Sequence, residues 1–373
     1  MGSAKLPRRL RWAVPAAALV AVGGVIAAAQ MPTAQASPTL PARTAAQLLT
    51  EVAAAKAPVL SGTVVETAAL GLPNLSGNSA SLTSLLAGTH TLHVWYGGQN
   101  DFRVALPGRM SETDLYRHGG TEYLWQSALN TVTKITGLPA KPTGVALPAF
   151  TPQQVAAAVL AAIGPSTVVS TQSNVYVAGQ AAYQLVLAPK ASGSTVSDVT
   201  IAIDAHNSIP LRVQVFGSDA SSPAFSVAFS SVTFAAPAHG LVSYEPVPGA
   251  KVNAINLAGR TFNGPMSPTA GKGKLPDGSP LAEAHVAGSG WTTVLELPAS
   301  VLNQASLTGS AAQASEGAAA LQALLDTASP VHGAWGTGQL ITSGLVNVLI
   351  TSDTIYVGAV EPSVLYAAAA ASN

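Results

Sequence analysis

The sequence contains no cysteine. That excludes a disulfide framework, a thiolate metal site, a cysteine nucleophile and attachment through a lipid-modified N-terminal cysteine. Charge is scarce too: 9% of the 373 residues are Asp, Glu, Lys or Arg. The 17 basic and 17 acidic side chains cancel, so the basic excess of a nucleic-acid binder is missing. Aromatics stand at 5% within a hydrophobic total of 48%. Low net charge with that much hydrophobicity is the reverse of a disordered composition. Much of the hydrophobic total is alanine, which buries little area per residue.

Catalytic signatures are also absent. There is no G-x-S-x-G elbow, Walker A loop, G-x-G-x-x-G turn or H-E-x-x-H helix. Gly271-Lys272-Gly273-Lys274 has the composition of a phosphate loop without its spacing, and reads as linker. His90 and His93 are three apart, which on a strand places them on opposite faces rather than on one metal. His118 is expected to be solvated beside a hairpin turn, and Asp204 and Arg212, flanking a turn, to pair structurally. No serine sits in an activating context. The reading is a non-enzymatic protein with no cofactor and no metal.

The zero charge is a sum over unlike parts. Lys5, Arg8, Arg9 and Arg11 precede an apolar run from Trp12 to Ala29, followed by Ala34-Gln35-Ala36. Basic, apolar and A-x-A regions in that order read as a signal peptide over 1–36, cleaved after Ala36. The alternative is an uncleaved anchor, since the run is about 18 residues long, near the minimum that crosses a bilayer. Either way the rest of the chain is expected to be extracytoplasmic. Residues 261–373 hold two lysines against seven acids, so the negative charge lies in the final third.

Thr44 and Gln47 form a capping-box pattern that opens a helix ended by Pro58. A strand follows over Leu60–Thr67 and a long loop over Asn74–Gly88. Alternating segments then carry Leu92, Val94 and Tyr96, next Phe102, Val104 and Leu106, and, after a Gly119-Gly120 hairpin signal, Tyr123 and Trp125. Val132 and Ile135 lie in a further short strand. A second capping box, Thr151 with Gln154, opens a helix stopped by Gly164 and Pro165. Four more strands centre on Leu185, Ile201, Val213 and Val227. One apolar and one polar face per strand is the antiparallel signature.

Residues 257–285 are Gly/Pro/Ser/Lys-rich and read as a linker. Beyond it, residues 286–373 read as a smaller α+β unit. It holds a strand at Val294–Leu297, a helix over Glu316–Ala328, a hairpin about Ser352-Asp353 and a terminal helix from Pro362. In the larger unit one sheet must cover its apolar face, and two short alanine-rich helices are available to do so. A partly filled half-barrel leaves a cavity suited to acyl chains; a fully packed core leaves none.

Several stretches resemble the lipoprotein-carrier superfamily of LolA-like carriers and RseB-like regulators. Thr91–Tyr96 followed by Asp101-Phe102-Arg103-Val104 is similar to its strand, turn and "fR" strand. His118–Trp125 resembles its "DGkxLW" hairpin. Val177–Leu185 with Pro189 is similar to the "aGr-ay-L" strand of the regulator branch, and Ile203-Asp204 with Ile209-Pro210-Leu211-Arg212 to the "iD…lPlr" turn. The order runs from about residue 44 to 250. The basic residue that the carriers have before the turn is absent at Gly97-Gly98.

The resemblance implies an α+β fold over 37–256, an unclosed antiparallel β half-barrel with a helical lid, holding acyl chains. The expected lipid-binding lining is Leu92, Val94, Tyr96, Phe102, Val104, Tyr123, Trp125, Leu185, Ile201, Ile203, Leu211, Val213, Phe225 and Val227. The expected function is that of an exported carrier for lipid or an acylated lipoprotein. The alternative is a regulator that binds a membrane anti-sigma factor through the C-terminal unit. Nucleic acid is not an expected partner.

Overall fold

The computed structural model describes residues 37–56, 58–71, 80, 84–85, 87–98, 100–137, 151–161, 163–218, 220–256, 285–300, 302 and 322–372. The expected signal peptide and all but the last residue of the expected linker lie outside the described residues. So do residues 316–321 of the helix expected at 316–328; of the rest, 322–325 is helical and 326–328 is not. Residues 39–373 belong to one compact unit.

Its larger part opens with helix α1 (Ala45–Ala54). Strands β1 (Leu60–Ala68), β2 (Gly88–Gly98), β3 (Asp101–Pro107), β4 (Glu112–His118), β5 (Thr121–Gln126) and β6 (Thr131–Thr136) follow. Helix α2 (Pro152–Ala161) precedes a second run: β7 (Thr167–Val177), β8 (Gln180–Pro189), β9 (Val196–Asp204), β10 (Pro210–Gly217) and β11 (Phe225–Thr233). A strap then carries the short helix α3 (His239–Val242) and ends in β12 (Lys251–Asn256).

These strands form one twelve-stranded sheet in the order β12-β6-β5-β4-β3-β2-β1-β11-β10-β9-β8-β7. Two antiparallel meanders are thus sewn together where β1 pairs with β11. The single parallel pairing is that of β12 with β6. Local chemistry matches the sequence. Thr44 and Gln47 make both bonds of the capping box on α1. Gly119 and Gly120 have φ of 56° and 82°, the two positive values that a tight two-residue hairpin demands.

Register assigns every strand residue to a face, because side chains alternate. Leu48 of α1 and Ala156 of α2 share a core cluster with Leu92, Val104, Ile201 and Val227, so the helices lie on that inner face. β7 also comes close to β11, four strands away in the order, so this half of the sheet is strongly curled. The strap crosses the other, outer face: α3 lies against β2, β3 and β4, and Tyr244 stacks on Tyr123.

The smaller part is a six-stranded antiparallel sheet ordered β13-β14-β18-β17-β16-β15. Its strands are β13 (His285–Ala287), β14 (Val294–Pro298), β15 (Ser329–Gly333), β16 (Gly336–Thr342), β17 (Asn347–Ile350) and β18 (Thr354–Gly358). Helix α4 (Pro362–Ser372) buries Leu365 and Ala369 against it, and Tyr366 stacks on Trp335 at 5.4 Å. The expected hairpin at Ser352-Asp353 and the terminal helix are both present.

The two sheets interlock at one end of the large one. Thr195 donates its backbone N–H to Ala359 O, Glu361 to Gly193 O and Gly344 to Leu70 O. Trp291 Nε1 donates to Thr167 Oγ1 at 2.9 Å, and Leu345 is buried in the large sheet's core cluster. The approach is close at Gly217, where a Cβ would stand 2.7 Å from Gly344 O. Gly217→Ala should therefore push two backbones apart and cost about 1–3 kcal/mol. Thermal unfolding measures this; an unchanged melting temperature would mean that the contact is not made in solution.

Candidate functional site

Twelve of the fourteen expected lining residues share the inner face. Val94 faces Val104, and Tyr96 faces Phe102. Across the seam, Phe225, Val227, Val213, Ile201 and Leu185 follow one another from strand to strand, with Ile203 and Leu211 at the same parity. Leu92, Leu185, Ile201, Leu211, Val213 and Val227 are fully buried, whereas Tyr96, Phe102 and Phe225 are partly open. The helices contribute Leu48, Leu49 and Val52 from α1, and Val155, Ala156 and Val159 from α2. A tie holds the start of α1 to the sheet. Tyr183 donates its hydroxyl to Pro41 O at 3.0 Å, and the Arg43 guanidinium lies 4.9 Å over the Tyr183 ring.

Tyr123 and Trp125 do not belong to that face. Leu115 faces Leu124, and Arg117 faces Glu122, so Glu122, Leu124 and Gln126 point inward from β5. Tyr123 and Trp125 point outward, paired with Tyr116 and Asp114. Both parities of this strand carry large side chains, and the inward set holds a charge that Arg117 neutralises: its Nε donates to Glu122 Oε1 at 3.0 Å. The expected pairing of Asp204 with Arg212 is also replaced. Arg212 donates to Gln184 Oε1 at 3.1 Å, and Asp204 accepts the Asn207 N–H at 2.8 Å, closing the turn.

The outward aromatics cover a charged cluster that sequence reading missed. Arg103 Nη2 sits 2.6 Å from Asp114 Oδ2 and 3.2 Å from Glu112 Oε1. Its guanidinium lies 4.9 Å over the Trp95 ring and 5.0 Å over that of Tyr116. Tyr116 also donates to Asp114 Oδ2 at 3.1 Å. Tyr244 from the strap stacks 4.2 Å from Tyr123 and meets Tyr116 edge-on at 5.6 Å. Burial pushes the Asp114 carboxyl up to about 6, against the opposing pull of Arg103 and with a further push from Glu112. The cluster clamps the strap onto β3–β5.

The inner face contains one polar surprise, Glu66. It is 4% exposed, and neither carboxylate oxygen has a hydrogen-bond partner among the described residues. Its parity is that of Val64 and Ala68, and it faces Val227 on β11 and His90 on β2. Burial alone pushes this carboxyl up to about 8. The signal in the sequence was there: Glu66 shares the parity of Leu60 and Val64. No group of three or more His, Asp or Glu capable of holding a metal occurs among the described residues. No described helix is long and apolar enough to cross a membrane.

No protein-family profile matches the sequence, and no curated protein does. Solved structures do. A chain of the Pseudomonas aeruginosa MucA/MucB complex is similar at 16% identity, covering 87% of this chain and 96% of that one, with a TM-score of 0.43. An uncharacterised conserved protein from Thermus thermophilus shares 12% identity over 57% of this chain and 99% of its own, at a TM-score of 0.34. A LolA superfamily protein from Nitrosomonas europaea shares 13% identity over 54% and 99%, at 0.22.

Replacing Arg103 tests the outer clamp. The Asp114 carboxyl holds its proton more tightly folded, at about 6, than at its ordinary value of 3.8. Its contribution to stability therefore falls as pH rises from about 4 through 6. Without Arg103 that fall deepens and extends upward. Arg103→Leu should cost ~3–5 kcal/mol at pH 8 and clearly less at pH 5, as urea denaturation at the two pH values would reveal. An equal cost at both would remove the charge pairing from the account.

Proposed function

We propose that this protein is an exported carrier that takes the acyl chains of a lipid or lipidated protein against the inner face of its large sheet. The observation behind the reading is the cover of that face. Twelve strands spaced about 4.8 Å apart span roughly 55 Å when flat, while a ten-residue helix is about 15 Å long. These two helices share the cover of the curled apolar face with Ala80 and Leu85 of the β1–β2 connection. Alanine supplies much of both helices, so each removes modest apolar area from water. A displaced helix would leave a continuous apolar trough running across the β1–β11 seam. Most of the inner face is buried, with Tyr96, Phe102 and Phe225 partly open, so loading of a whole acyl chain would require α1 or α2 to lift.

The reading is tested by native mass spectrometry of the secreted protein, followed by uptake of a pyrene-labelled diacylglycerol. Bound lipid and saturable uptake are expected. Phe225→Glu, at a partly open inner position, should weaken uptake by about 10- to 100-fold, the worth of one lost apolar side chain. Trp125→Glu, on the outer face, should leave uptake unchanged. Absence of both bound lipid and uptake would overturn the reading.

A second reading rests on the small sheet. Residues 286–373 contain no Lys or Arg and carry Glu296, Glu316, Asp326, Asp353 and Glu361. An acidic unit locked to the end of the lipid-binding sheet suits a membrane-protein partner with a basic segment. Capture of a single membrane protein that depends on residues 286–373 would favour such a regulatory role.

A further inference from the structure

The inner face is apolar at almost every position that the two helices and the seam enclose, and Glu66 stands in its middle. A buried carboxyl with no donor is costly, and leucine at the same point would be cheaper. We propose that Glu66 is the polar anchor of the bound ligand and that it takes the amine head of a long-chain amphiphile. This rests on the acyl-binding reading above and specifies the ligand's head group.

The surroundings favour a cation. A carboxylate only accepts hydrogen bonds, and its strongest partner is a charged donor. The neighbouring strands offer none. β11 has no ionisable side chain, and neither does α2. On β2, His90 faces Glu66, but its Nε2 lies 3.0 Å from Ala87 O. Arg117, the inward-facing guanidinium of β4, is held by Glu122. An incoming ammonium would meet a carboxyl that releases its proton to water, and the resulting pair would be enclosed by Val64, Ala68 and Val227. A hydroxyl head would supply one neutral bond. A carboxylate head would add like charge.

Displacement of the pyrene-labelled diacylglycerol by dodecylamine, dodecanol and laurate is the test. Dodecylamine should displace it from the unaltered protein at a concentration at least about tenfold below the other two. Glu66→Leu should still bind the pyrene lipid, lose the amine preference and melt at a higher temperature when empty. Glu66→Asp should keep part of the preference. Equal displacement by all three, or an amine preference that survives in Glu66→Leu, overturns the proposal while leaving acyl binding intact. Failure of the unaltered protein to bind any of the probes overturns both.

Discussion

Strand β1 holds the large sheet together. It pairs with β2, its neighbour in sequence, and with β11, which lies more than 150 residues further along the chain. Without that distant pairing the chain would hold two meanders, each with an uncovered apolar face and an open edge. With it, Leu92 and Val94 on one side and Val227 and Val213 on the other become one surface. The seam is irregular: the register shifts between Thr63 and Val64. Gly62 stands beside this bulge, where a Cβ would meet Ser231 O at 2.5 Å. The strand that unites the sheet also carries Glu66, so this buried carboxyl sits where the two halves meet.

The outer clamp and the inner face answer to the same strands. On strands β2 to β4, Leu92, Val94, Val104 and Leu115 point to the core, while Trp95, Arg103, Asp114 and Tyr116 point to the side of the strap. Arg103 is inseparable from this division. It sits on the same strand as Phe102 and Val104 and faces the other way, between Trp95 and Tyr116. Asp114 is held there at a desolvation cost that Arg103 offsets in part. The strap thereby stays on the outer face, leaving the inner one to the helices.

Much of this was legible from alternation and caps. Both capping boxes, the Gly119-Gly120 hairpin and most strands of both meanders follow from local chemistry. Period two separates a strand into two sets without naming the inward one. At β5 the aromatic set, Tyr123 and Trp125, lies outward under Tyr244, and the set with Glu122 lies inward. β12 was invisible because all six of its residues are exposed, so it has no buried parity to print a pattern. β7 is an edge strand with a register shift between Gln172 and Val175, which breaks the alternation. The docking of the small sheet depends on backbone contacts at Gly193, Gly217 and Gly344, and backbone contacts leave almost no mark on sequence.

The helices on the inner face draw their order from the sheet. A ten-residue helix is marginal on its own in water, so α1 and α2 owe their order to the sheet beneath them. Their apolar contribution comes from a few side chains: Leu48, Leu49 and Val52 in one, Val155, Ala156 and Val159 in the other. At roughly 1–3 kcal/mol for each larger side chain, that cover is matched by an acyl chain of about ten methylenes at ~0.8 kcal/mol each. Under the proposed acyl binding, exchange of helix for chain would be close to balanced, and small terms would decide it. One such term is the tie of Pro41 and Arg43 to Tyr183, which favours the closed face. The other is Glu66, whose burial without a donor weighs against the covered face and, under the proposed anchoring role, would favour one that holds a ligand.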